Sequence, residues 1–105
     1  MEIGKIVYLH GSPYKTVEEI ARDMKICQRS VNTRLKEIRE EILNKRYPDS
    51  SVIKDGKFVF INYLVYIDYI TYRQRLQEKN LRKRVPPFNA NALASSLGWY
   101  AEVAL

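Results

Sequence analysis

The sequence predicts a mainly α-helical fold that carries one small β-hairpin. Three observations lead there. Between residues 16 and 38, apolar side chains recur at Ile20-Ala21, Ile26, Val31, Leu35 and Ile38, the spacing of two helices that cross at a tight turn. Lys54-Asp55-Gly56-Lys57 separates two β-prone runs, Val52-Ile53 and Phe58-Val59-Phe60-Ile61, which is a strong short-range hairpin signal. From Asn62 onward, Leu64, Val65, Ile67, Ile70 and Leu76 mark a third, longer helix. A chain of 105 residues, 46% hydrophobic and 29% charged, supports one small domain with a modest core.

Taken in order, residues 3–9 carry Ile3, Ile6, Val7 and Leu9. That run is too short to separate helix from strand by period; a short helix or strand beneath the following helices is expected. His10-Gly11-Ser12-Pro13 is a turn by composition. Thr16 suits an N-cap and Glu19 falls three residues on, which makes a capping box. Glu18 and Glu19 also favour the positive end of the helix dipole. The first helix should run to about Met24. Lys25-Ile26-Cys27 is the turn, with Ile26 as its plug and the small Ala21 allowing close helix crossing. Lys25 can adopt a left-handed turn conformation only at a cost glycine avoids, and Cys27 is a poor N-cap, so a looser or four-residue turn is expected.

The second helix begins near Gln28 and extends to about Lys45, seated by Val31, Leu35 and Ile38. Glu37, Glu40 and Glu41 mix with Lys36, Arg39 and Lys45, the pattern of a solvated face with i,i+4 pairs. Tyr47-Pro48-Asp49-Ser50-Ser51 ends it. The hairpin then follows directly and reads as a wing. The expected fold class is therefore mainly α with a small β-hairpin wing, a winged helix-turn-helix. Asn62 caps the third helix, which should run from residue 63 to about 84 and be stopped by Pro86-Pro87. Tyr63, Tyr66, Tyr69 and Tyr72 recur every three residues, so they drift around it; core-edge packing with wet hydroxyls is favoured over a stacking platform for single strands. Residues 1–84 form the expected domain and residues 85–105 a tail. Phe88, Leu93, Leu97, Trp99, Tyr100, Val103 and Leu105 make that tail apolar, with Glu102 its only charge from residue 88 on. It should fold back on the third helix or pack on a second copy, and the intersubunit option is preferred.

The second helix leaves Gln28, Arg29, Ser30, Asn32, Thr33, Arg34 and Lys36 facing outward or flanking the seam, side chains of the kind that bond base edges and phosphates. Arg29, Asn32 and Thr33 lie early on the helix and away from the Val31-Leu35 seam, so they are the favoured base contacts. Lys54 and Lys57 at the hairpin tip are expected to touch phosphate or the minor groove. Arg82-Lys83-Arg84 at a helix end complements the dipole, with phosphate binding the less favoured use. A net charge of +6 suits a polyanion such as double-stranded DNA.

Other chemistry finds little support. One cysteine excludes an intramolecular disulfide and a cysteine-rich zinc site, and Cys27 is expected as a small buried hydrophobe. His10 is expected to be structural or idle. No Ser-His-Asp set, carboxylate pair in context or phosphate-cradling glycine loop occurs, so neither an enzyme, a metal nor a cofactor is expected. No apolar run approaches a membrane span and the first residues lack a signal-peptide pattern, which makes the cytoplasm the default location.

The order helix, turn, helix, Asp-Gly hairpin, helix resembles the winged helix-turn-helix of phage and mobile-element excisionases, a MerR-like fold. The stretch K-D-G-K-F-V-F-I-N-Y-L-V-Y-I-D-Y is similar to that family's wing and closing helix. The first half also resembles amino-terminal winged helices of sugar-operon and virulence regulators, whose pattern likewise ends in L-K-E-I. The resemblance spans roughly residues 16–75. It implies a recombination directionality factor that binds repeated sites, bends DNA and steers an integrase partner toward excision. A phage or operon transcription regulator is the alternative. An adaptor using the same scaffold for protein interaction is the reading from another class, since fold does not fix function.

Overall fold

The computed structural model describes residues 7–8, 13–97 and 100–101. A short strand β1 (Val7–Tyr8) precedes β2 (Tyr14–Thr16), and two helices follow, α1 (Val17–Met24) and α2 (Gln28–Leu43). A 3-10 turn at Asp49–Ser51 leads to the hairpin β3 (Val52–Asp55) and β4 (Phe58–Asn62). Then come α3 (Tyr63–Gln77), α4 (Lys79–Arg82), α5 (Ala90–Ser96) and β5 (Tyr100–Ala101). The chain is thus mainly helical, with a three-stranded antiparallel sheet of order β2-β4-β3 and a separate β1-β5 pair. The expected turn at His10-Gly11-Ser12 and the roles of Ile3, Ile6, Leu9, Trp99, Val103 and Leu105 lie outside the described residues.

The helix starts follow from the sequence. Thr16 Oγ1 accepts from the Glu19 backbone N–H at 3.2 Å, and Glu19 Oε1 accepts from the Thr16 N–H at 3.0 Å, completing the capping box. Asn62 Oδ1 accepts from Leu64 N at 2.9 Å, so the last residue of β4 also caps α3. The turn between α1 and α2 is three residues long, not the looser or four-residue turn expected, because Lys25 does take the left-handed conformation, at φ 57°, ψ 44°. Ile26 packs against the core, and its backbone N–H donates to the Ala21 carbonyl at 3.0 Å. Cys27 precedes α2 without a side-chain cap bond.

Ile20, Ala21, Val31, Leu35, Ile38, Ile61, Val65, Tyr66 and Tyr69 build one core between the three main helices and the inner face of the sheet. Side-chain alternation sends Val52, Val59 and Ile61 inward and leaves Ile53, Phe58 and Phe60 on the outer face. The hairpin reverses at Gly56-Lys57, since Asp55 pairs with Phe58. Gly56 takes φ +60° at the first central position, a conformation that suits glycine. The strand β2, which pairs Tyr14–Thr16 with β4, was not legible in the sequence.

Five further expectations need correction. α3 ends at Gln77 instead of continuing to 84; Glu78 is extended (φ −107°, ψ 121°), and the bend lets Arg82 return to pair with Glu41 and donate to the Leu76 carbonyl at 2.9 Å. α2 stops at Leu43 short of Lys45, which takes φ 70° and cannot continue the helix. Glu37 and Glu41 are not part of a solvated face: Glu41 is buried against Arg82, and Glu37 accepts from Arg73 Nε at 2.7 Å and Tyr69 OH at 2.8 Å. Tyr66 and Tyr69 are core residues rather than edge residues, because α3 is covered by α2 on one side and α5 on another and so is apolar on several faces. Finally, the described part of the tail folds back. Phe88 meets Tyr47 edge-to-face at 5.1 Å, and the fully buried Ala94 of α5 packs with Leu64 of α3. Phe88, Leu93 and Ala94 thus pack within the same chain, while Leu97 stays exposed.

Candidate nucleic-acid interface

The seven α2 side chains singled out in the sequence do not share one surface. At about 100° per residue, positions two apart point in nearly opposite directions and positions four apart share a face. With Val31, Leu35 and Ile38 buried, the helix presents three strips. Arg29, Thr33 and Lys36 are exposed along its outer ridge. Gln28 and Asn32, also exposed, form the flank toward the hairpin. Ser30 and Arg34 are half-buried on the opposite flank, toward α3.

On the hairpin flank a cleft of about 330 Å³ brings Gln28 and Asn32 together with Lys57 and Phe58. The first turn of α1 closes its base through Thr16, Val17 and Glu18. Lys57 supplies a cation to the lining and Glu18 a carboxylate. The carboxamides of Gln28 and Asn32, which both donate and accept hydrogen bonds, share the lining. Lys57 Nζ lies 5.9 Å from the centroid of the Phe58 ring, and that ring stacks on Phe60 at 6.5 Å. Phe58 is 54% exposed although strongly apolar. The sequence reading took it only as a strand residue. Its alternation with Val59 and Ile61 in a two-faced apolar strand is the signal that one phenylalanine must stay at the surface. Lys54 is exposed across from Val59 in the ladder and does not line the cleft.

On the ridge, the Thr33 hydroxyl donates to the Arg29 carbonyl at 3.0 Å, which leaves its oxygen as an acceptor. The Arg29 side chain extends from the first turn of α2, and Lys36 stands two turns on. At the start of the helix the sequence expectation for Cys27 fails: the residue is exposed, because it stands at the extended N-cap position outside the helix seam. Its Sγ lies 3.3 Å from Ser30 Oγ, and that hydrogen bond holds the thiol below its ordinary pKa.

The α3 flank is built differently. Arg34 Nη1 donates to the Ser30 carbonyl at 2.9 Å, folding the guanidinium along its own helix. It borders a second cleft, of about 400 Å³, whose other wall is α3 at Ile70, Thr71, Arg73, Gln74 and Arg75. The Arg73 guanidinium beside Glu37 holds that carboxyl below the usual carboxylate range, with Tyr69 adding a second donor. Further along, Arg82 is committed to Glu41, so of the basic run at residues 82–84 only Lys83 and Arg84 are exposed.

No helix among the described residues is long and apolar enough to cross a membrane, and no group of three or more His, Cys, Asp or Glu side chains among them is placed to hold a metal. No protein-family model matches the chain, no curated protein matches it, and no solved structure matches it.

Proposed function

We propose that the protein binds double-stranded DNA as a winged helix-turn-helix, with α2 as the recognition helix and the β3-β4 hairpin as the wing. The observation that carries this reading is the continuity of the α2 ridge with the cleft beside it: Arg29, Thr33 and Lys36 stand exposed on the helix, and Lys57 closes the flank beside Gln28 and Asn32. A ridge of hydrogen-bonding side chains about as wide as an α-helix fits the major groove, where base pairs are distinguishable. A lysine at a hairpin tip beside it is suited to the flanking phosphates. The order β2, α1, α2, β3, β4, with β2 closing the sheet on β4, supports the same assignment.

Within this reading, the likeness of residues 16–75 to excisionases favours a recombination directionality role over that of a transcription regulator. Such a factor would act beside an integrase on repeated sites. The test is direct: titrate the full chain with a labelled random duplex library at low salt, select the bound fraction, and read the enriched sequences. Binding with an enriched motif is expected; no duplex binding at low salt overturns the proposal. The process is decided separately, by asking whether the selected site lies at an attachment site and whether the chain shifts an integrase toward excision.

A further inference from the structure

We infer that the cleft between α2 and α3 is a second binding site, for a phosphodiester of the DNA strand on the side of α2 away from the wing. This rests on the DNA-binding reading above and extends it to a surface that reading does not use.

The cleft is defined by Arg34 on α2 and by Thr71, Gln74 and Arg75 on α3. Its charge is positive. Glu37 is the acidic side chain beside it, and both its oxygens are taken: Oε1 accepts from Arg73 Nε and Tyr69, and Oε2 accepts from Arg73 Nη2 at 3.0 Å. That pair cancels itself and leaves Arg34 and Arg75 as the net charges. Among the described residues neither has an ion-pair partner. The bond from Arg34 to the Ser30 carbonyl occupies one of five guanidinium N–H donors. The Thr71 hydroxyl donates to the Ile67 carbonyl at 2.7 Å, whereas the Gln74 carboxamide is exposed.

The position of the cleft selects a phosphodiester over a base. Arg34 lies two residues from Asn32, roughly 200° around the helix, so the two clefts stand on opposite flanks of α2. The major groove is about 12 Å wide and is bordered by two strands, and a helix of about 10–12 Å diameter fills it. With the α2 ridge toward the bases, each flank faces one strand. A concave, arginine-lined surface fits the convex sugar-phosphate strand, and guanidinium forks match phosphate oxygens. The wing on one side, and Arg34 and Arg75 on the other, then grip the two strands that border the groove.

The test uses the full chain and a selected duplex. Log affinity is measured against log salt for the unaltered protein, Arg75→Gln and Arg34→Gln, with thermal melts as a folding control. Each substitution should flatten the slope by about 0.9, the value for one neutralised phosphate, and leave base preference unchanged. Neutral methylphosphonate linkages are then placed one at a time. At one linkage the unaltered chain should lose affinity while Arg75→Gln loses none further. If the unaltered chain binds the duplex but both variants keep its slope, or if either changes the preferred sequence, the α3-side site is overturned and the DNA reading stands. If the unaltered chain binds no duplex, both fall.

Discussion

Arg46 donates through Nη2 to Oδ2 of Asp68 at 2.7 Å, with the two side chains only 9% and 10% exposed. The same oxygen accepts the Tyr47 hydroxyl at 2.7 Å, and Arg46 Nη1 donates to the Pro86 carbonyl at 2.8 Å. One guanidinium therefore ties the end of α2 to the middle of α3 and to the start of the tail. Burial, together with the bond to Asp68, pushes the Tyr47 phenol far above its ordinary pKa, so it stays a neutral donor. Arg46 Nε is buried without a hydrogen-bond partner among the described residues, which makes the remaining bonds the more necessary. Asp68→Ala would strand that guanidinium in the interior. A loss of about 3–5 kcal/mol is expected, as for other buried pairs broken on one side. Urea denaturation measures it; a loss under about 1 kcal/mol would show that the surroundings relax to solvate Arg46.

The tail is expected to stabilise the domain rather than merely extend it. Phe88 packs on Tyr47 edge-to-face, and such ring pairs contribute about 0.5–1.5 kcal/mol beyond their buried area. Phe88→Ala should therefore lower the midpoint of thermal unfolding. Removing residues 86–105 should lower it further, because Pro86, Phe88 and Ala94 all leave contacts with α2 or α3. Equal melting temperatures for the full and shortened chains would contradict this.

Acid sensitivity is expected at the α2-α3 seam. The Arg73 guanidinium, aided by the Tyr69 hydroxyl, holds Glu37 below its ordinary carboxylate range. A free glutamate titrates at about 4.3. Between that value and the lower folded one, the unfolded chain binds more protons, so stability rises with pH. The contribution is complete above about pH 4.3 and is lost as pH falls through the folded value. Glu37→Gln lacks it. The gap in melting temperature between the native chain and Glu37→Gln should be widest near neutrality and close toward pH 2. A gap that stays constant from pH 7 to 2 would assign the effect of Glu37 to packing instead of charge.

What the sequence disclosed and what it hid divide along the range of the interactions. The capping box at Thr16 and Glu19, the plug at Ile26, the cap at Asn62 and the hairpin around Gly56 depend on residues within a few positions of each other, and all were legible. The partners of Glu37, Glu41 and Arg46 lie 36, 41 and 22 residues away. Charge patterning along one helix cannot show them, so two glutamates looked like solvated helix surface. Tyr47 looked like turn material for the same reason: its burial depends on Asp68 and Phe88, which lie beyond the hairpin. At the candidate interface, helical spacing alone separates Asn32 from Arg34. Both counted among the outward or seam-flanking side chains of α2, and the roughly 200° between them puts them on opposite flanks. The contribution of Phe58, and of Gln74 and Arg75, needed the third dimension, because each joins α2 from a different element.

The sharpest expectation for DNA concerns the contrast between ridge and wing. Arg29 is exposed on the first turn of α2, where a guanidinium can reach guanine O6 and N7. Arg29→Ala should cost about 1–3 kcal/mol on the selected site and flatten base preference at one position. Lys57 stands at the hairpin turn, where under the proposed DNA-binding function its flexible ammonium would meet a strand without reading it. Lys57→Ala should weaken all duplexes alike and flatten the salt dependence by about one ion. Neither side chain holds the core together, so thermal melts of both variants should match the native chain. Binding is followed by anisotropy on the selected duplex and on single-base variants at several salt concentrations. If Lys57→Ala shifts the preferred sequence while Arg29→Ala changes nothing, the wing and not α2 reads the bases, and the two elements exchange roles.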